Sequence, residues 1–208
     1  VNEYPSRVHQ YSNQRKMIYI NSSLLVTGSG SYFSTIAHEL QHAIHWNLSG
    51  GQSTWINEGL SQLAEQRLGY SVNAVRHFET SPVTSLVYWP VDGSSISSNY
   101  GAAFLFTHFL DSQHSLRTNL RPLVETGELS GIDSVNSYLA LLDSEENFGS
   151  IFGRWLVANH LRREGDGPFS YPSEVVALDH TDVMESPGAF HLSQPQYSAR
   201  YVLVDLEA

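Results

Sequence analysis

Two histidines four residues apart, with a glutamate beside the first, constrain this chain more than any other feature: His38-Glu39-Leu40-Gln41-His42. On an α-helix, residues four apart lie one turn apart on the same face. Both imidazoles can then reach one metal ion. Glu39 is offset around the helix, so it can stand beside that ion and touch a water molecule without ligating. The flanking sequence supports a helix over about 32–47, with Ser31 or Ser34 as its cap. Ile36, Leu40, Ala43, Ile44 and Asn47 give a 3.6-residue repeat expected to face the core. Ionisable groups in such surroundings are costly to bury unless they are paired or bind metal.

A second segment, Trp55-Ile56-Asn57-Glu58-Gly59-Leu60, sharpens this reading. Catalytic zinc takes three protein ligands and a water. The pattern that supplies a third histidine six residues after the second needs Gly and His where this chain has His45 and Leu48. A glutamate on the following helix is the other common solution. Leu48 to Ser53 is a turn-rich break, and a second helix is predicted over about 56–68, closed by Gly69. Asn57 is expected to cap it. The short connection lets this helix fold back and bring Glu58 towards the open side of the histidine pair.

His38-Glu39-x-x-His42 followed by Asn57-Glu58-Gly59-Leu60-Ser61 resembles the gluzincin zinc metallopeptidases. The short spacer and the later Tyr100-Gly101-Ala102-Ala103 look most like the hyicolysin-type bacterial endopeptidases. The resemblance covers about residues 17–68 and, more weakly, 99–112. It implies that His38, His42 and Glu58 bind zinc and that Glu39 is the catalytic base. It also implies an α+β, zincin-like fold: a small N-terminal β-sheet with the active-site helix, then a mainly helical subdomain. The Gly-x-Met-Glu-Asn segment by which zinc aminopeptidases hold a free amino terminus does not occur, which favours an endopeptidase.

The expected chemistry is peptide-bond hydrolysis, in which zinc lowers the pKa of a water and polarises the carbonyl while Glu39 handles the proton. The competing reading is a peptide-binding module that keeps the metal and has lost turnover; the intact Glu39 argues against it. Tyr100, at the start of a helix after a turn-rich loop, is the candidate for stabilising the oxyanion. His108, among Phe104, Phe106 and Phe109, reads as a core residue. Glu65, two turns beyond Glu58, can accept the free N–H of a ligand histidine. His45 is expected beside the ligands or in packing. Lys16 to Asn21 reads as a strand, and the zincin resemblance implies that its sheet presents an edge to which an extended peptide substrate can add. Tyr32, Phe33, Tyr88 and Trp89 are candidates for subsites or for the core.

The rest of the chain sets the frame. With 208 residues, 41% of them hydrophobic, it can bury one sizeable core. The catalytic domain is expected over 1–168, with the sheet and active-site helices in about 1–70 and the helical subdomain in about 99–165. Helices are predicted near 100–112, 118–126, 134–142 and 146–163, and 71–98 is expected to be mostly irregular. Gly165 to Pro168 marks a boundary, and 169–208 reads as a C-terminal extension or the start of a further β domain, with a strand at Tyr201 to Val204. The net charge of −10, with Lys16 the only lysine, opposes nucleic-acid binding. No apolar stretch is long enough to span a bilayer. The absence of cysteine excludes disulfides and thiolate metal sites, and no calcium loop of the EF-hand type is present. A polar surface with only 15% charged residues resembles extracellular enzymes, and the start at Val1 suggests a processed or excised secreted fragment.

Overall fold

The structure is a computed structural model that describes residues 18, 20, 21, 23, 25–91, 96–114, 119–125, 128–142, 144–161, 163–165, 167–172, 182–184, 191 and 193–204. These residues are mostly helical. The helices are α1 (Gly30–Leu48), α2 (Thr54–Arg67), α3 (Ala74–Thr80), α4 (Ser97–His114), α5 (Arg121–Val124), α6 (Ile132–Leu141) and α7 (Phe148–Leu161). Two short parallel pairs follow, β1 (Arg163–Glu164) with β2 (Ser170–Tyr171) and β3 (Asp182–Met184) with β4 (Val202–Val204). The expected N-terminal strand falls largely outside the described residues; Ile18, Ile20 and Asn21, which are described, are not in a strand.

Helix α4 is the centre of the molecule. Every residue from Gly101 to Asp111 is buried, as a helix must be when it is apolar on all sides. Helices α2 and α3 pack directly on it, and α1 packs on the outer side of α2. The core joins Trp55, Ile56, Leu60 and Leu63 of α2 to Phe104, Phe106, Phe109 and Leu110 of α4 and to Ile151 and Trp155 of α7. Trp55 meets Phe106 edge to face at 5.5 Å, and Phe106 meets Trp155 in the same way at 5.7 Å. Helix α3 lies in the segment expected to be irregular. Its weak local signal is overridden by packing: Phe78 is 2% exposed and stacks on Trp155 at 5.9 Å.

Helix α2 is fixed at both ends. Gly69 sits at φ +84°, and the amides of Gly69 and Tyr70 return to the carbonyls of Gln66 and Glu65 at 2.9 and 3.1 Å. That is the closing glycine expected from sequence, in the paired arrangement that satisfies the last carbonyls. At the other end, the Gln52 amide ties the α1–α2 connection to α6. Its oxygen accepts from Ser53 N at 2.9 Å and Gly131 N at 2.7 Å, while its nitrogen donates to Ser134 Oγ at 3.1 Å. The turn that reverses the chain before Glu58 is thereby held from outside. Segments beyond residue 168 share the same core: Tyr171 is 2% exposed, its hydroxyl donates to Asn159 Oδ1 at 2.6 Å, and Leu86 N donates to Tyr197 O at 2.9 Å.

Three local expectations are corrected. The cap of α1 is Ser29, whose hydroxyl accepts from Tyr32 N at 3.2 Å, and Ser31 and Ser34 lie inside the helix. Helix α2 begins at Thr54 after Ser53, so Asn57 sits within it and does not cap it. The Leu40–Ile44 stripe of α1 points outward, at 49% and 45% exposure, while Ala37 and His45 are buried. Which stripe faces inward is set by α2 docking along the histidine side.

Candidate metal centre

The antiparallel packing of α1 on α2 brings His38, His42 and Glu58 together. Among the described residues they form the one group of three or more His, Cys, Asp or Glu side chains able to hold a common ion. His38 Nε2 lies 3.0 Å from His42 Nε2 and 3.1 Å from Glu58 Oε2, and His42 Nε2 lies 3.3 Å from the same oxygen. These three atoms make a nearly equilateral triangle. Tetrahedral zinc with bonds of 2.0–2.1 Å needs ligand atoms about 3.3 Å apart, so the donor set fits the ion in both chemistry and spacing. The side chains are largely buried, with His38 and Glu58 each at 16% exposure and His42 at 21%.

Close approach of α2 to α4 places Glu58. Its neighbour Gly59 lies against α4, where an added Cβ would stand 2.6 Å from Ala103 O and 2.7 Å from Thr107 Cγ2. Only glycine permits this contact without displacement.

Each histidine is also held by its other nitrogen. His38 Nδ1 meets Glu65 Oε1 at 2.7 Å, the contact expected from sequence, and the second oxygen of Glu65 accepts from the Ser34 hydroxyl. His42 Nδ1 meets the Ser61 hydroxyl at 3.1 Å. With Nδ1 thus engaged, the Nε2 atoms of both rings turn towards Glu58. Sequence reasoning did not single out Ser34 or Ser61 for these roles. The signal was available: Ser34 precedes His38 by one turn, and Ser61 follows Glu58 by three on the face that meets α1.

Electrostatics tie the group together in the absence of metal. Burial opposes charge on His38, but hydrogen bonds to Glu58 and Glu65 outweigh it and push the imidazole up to about 9. His42 is also raised, because its bond to Glu58 overcomes its burial. Burial likewise works against the Glu58 carboxylate, yet its bonds to the two rings hold it down to about 2. His45 is 1% exposed, neither ring nitrogen makes a hydrogen bond of good geometry, and burial lowers its pKa. It packs beneath the site beside Asn57, which also interacts with His42.

A cleft of about 580 Å³ opens beside the triad. His38, Gln62, Glu65 and Tyr100 are among the residues that line it, together with Ser31, Tyr70, Asn73 and His77. Tyr100 is the oxyanion candidate from sequence. Burial, with the negative charges of Glu58 and Glu39, pushes its hydroxyl up to about 12, so it stays protonated and able to donate. Trp89 supports the Tyr100 ring edge to face at 5.1 Å. None of Tyr32, Phe33, Tyr88 and Trp89 lines the cleft; Phe33 and Tyr88 are exposed at 47% and 63%. His108 lies in the core, stacked between Phe104 at 5.5 Å and Tyr171 at 5.7 Å.

No family model matches this chain, and no curated protein matches it.

Proposed function

We propose that this chain is a zinc-dependent metalloendopeptidase with a zincin-like fold of the gluzincin type, secreted and acting on protein or peptide substrates. The single observation that carries the reading is the triangle of His38 Nε2, His42 Nε2 and Glu58 Oε2, whose edges of 3.0–3.3 Å match one face of a zinc tetrahedron. Glu39 supports the hydrolytic part, since it stands next to His38 and a mere metal-binding scaffold has no use for it.

When bound, zinc supplies a Lewis acid that brings the pKa of a water from 15.7 to about 7 and polarises a carbonyl. The chain's own groups carry out the remaining work. Glu39 takes a proton from the water as its oxygen bonds to the peptide carbon, and gives a proton to the departing nitrogen as the C–N bond breaks. The protonated Tyr100 hydroxyl donates to the carbonyl oxygen as that oxygen gains charge. Glu65 and Ser61 keep the two imidazoles oriented. The cleft beside His38 and Tyr100 receives substrate side chains.

The test combines metal analysis of purified protein with cleavage of a quenched peptide, before and after chelation. One bound zinc per chain and chelator-sensitive cleavage are expected. Zinc without cleavage would leave a peptide-binding module, and protein that takes up no zinc overturns the reading.

A further inference from the structure

We propose that Ser34 is a positioning residue for the metal centre, acting on His38 through the carboxylate of Glu65. The inference rests on the metal reading above and extends it to a residue that touches neither the ion nor the reacting atoms. The contacts form a chain. Ser34 Oγ donates to Glu65 Oε2, Glu65 Oε1 meets His38 Nδ1 at 2.7 Å, and His38 Nε2 faces Glu58 Oε2 at 3.1 Å.

The hydrogen inventory makes this chain directional. To ligate, His38 must offer a lone pair at Nε2, so its proton must sit at Nδ1. A proton at Nδ1 needs an acceptor, and Glu65 Oε1 is the one present. The remaining oxygen of Glu65 is taken by the Ser34 hydroxyl. Both oxygens therefore receive donors, which fixes the rotation of the carboxylate about the last side-chain bond. Without Ser34, the carboxylate keeps one contact and can turn.

The architecture explains why the second contact matters. Ser34 and His38 are one turn apart on α1, and Glu65 comes from α2. The carboxylate is thus held at two points on one helix face and acts as a staple between the helices that supply all three ligands. Glu65 is only 16% exposed, so the two bonds are partly shielded from competing water. Ser34 also forms part of the cleft wall together with His38 and Glu65, which places it next to the centre on the side open to solvent.

The test is a double-mutant cycle read by metal affinity. Zinc dissociation constants are measured by chelator competition for the wild type, Ser34→Ala, Ser34→Thr, Glu65→Gln and the Ser34→Ala/Glu65→Gln double variant. The cobalt-substituted forms are compared by visible absorption, which reports the ligand field, and the melting temperature of each metal-free form is recorded alongside. Loss of such a supporting partner typically costs 10–100-fold in affinity. Ser34→Ala is expected to weaken zinc about tenfold and to shift the cobalt spectrum, and Ser34→Thr, which keeps the hydroxyl, to restore both. In the Glu65→Gln background Ser34→Ala is expected to add little, because the two residues act as one unit. Wild-type affinity and an unchanged cobalt spectrum in Ser34→Ala would overturn the proposal, even if the melting temperature fell. So would a full, additive loss in the double variant. Wild-type protein that binds neither zinc nor cobalt refutes the metal reading itself, a separate outcome.

Discussion

Metal-free protein and zinc-loaded protein are expected to respond to pH with opposite signs, and the size of the effect follows from His38. Its folded pKa is about 9, against an ordinary 6.5. A raised folded pKa means that the folded state binds a proton more tightly than the unfolded chain. The resulting stability is fully present below pH 6.5 and is lost as pH rises through 9. The difference of about 2.5 units corresponds to about 3 kcal/mol. This coupling is shared with Glu58, whose depression to about 2 reflects the same bonds, so the two are not added. Zinc binding as proposed is expected to reverse the sign: a ligated His38 Nε2 would hold no proton, while the unfolded histidine still binds one below pH 6.5. Stability should then be flat above pH 7 and fall as pH drops below 6.5. The assay is urea unfolding from pH 5.5 to 9.5, with chelator or with excess zinc. A metal-free protein whose stability holds steady or climbs between pH 6.5 and 9 would refute the coupling of His38 to Glu58 and Glu65.

Other perturbations separate the roles of the site residues. Glu39→Gln should retain zinc and lose about 10²–10⁴-fold in turnover; normal cleavage by this variant would remove Glu39 as the base. Glu58→Ala should release zinc to a chelator that the wild type resists, and equal retention would place the third ligand elsewhere. Tyr100→Phe should keep zinc and KM while kcat drops about 10²–10³-fold, and an unchanged kcat would show that its hydroxyl does not face the oxyanion. Gly59→Ala forces a methyl to within 2.6 Å of Ala103 O. It should cost about 1–3 kcal/mol and lower the melting temperature by about 2–4 °C per kcal/mol, with weaker zinc binding because Glu58 is adjacent. Wild-type melting would mean that α2 and α4 are not in close contact there.

The sequence by itself carried the group of His38, His42 and Glu58 and the helices that hold it. His38 and His42 must share a helix face whatever surrounds them, because four residues make close to one turn. Gly69 closes α2 where its φ of +84° suits no other residue as well. These are local rules, and local rules are written in short stretches of chain. What the tertiary structure decided was which faces meet. The spacing of Leu40 and Ile44 fits a buried stripe, yet both are about half exposed, because α2 docks on the neighbouring side that carries Ala37, His42 and His45. Helix α3 forms where sequence gave only loop signals, since Phe78 gains a stacked partner in Trp155 from seventy-seven positions away. Ser34 looked like a cap because serine often is one, but it stands opposite Glu65, thirty-one residues on. Helix periodicity names the residues that share a side of a rod. Only the packing of one rod against another says which side finds a partner, because that choice depends on the summed burial of residues far apart in the chain.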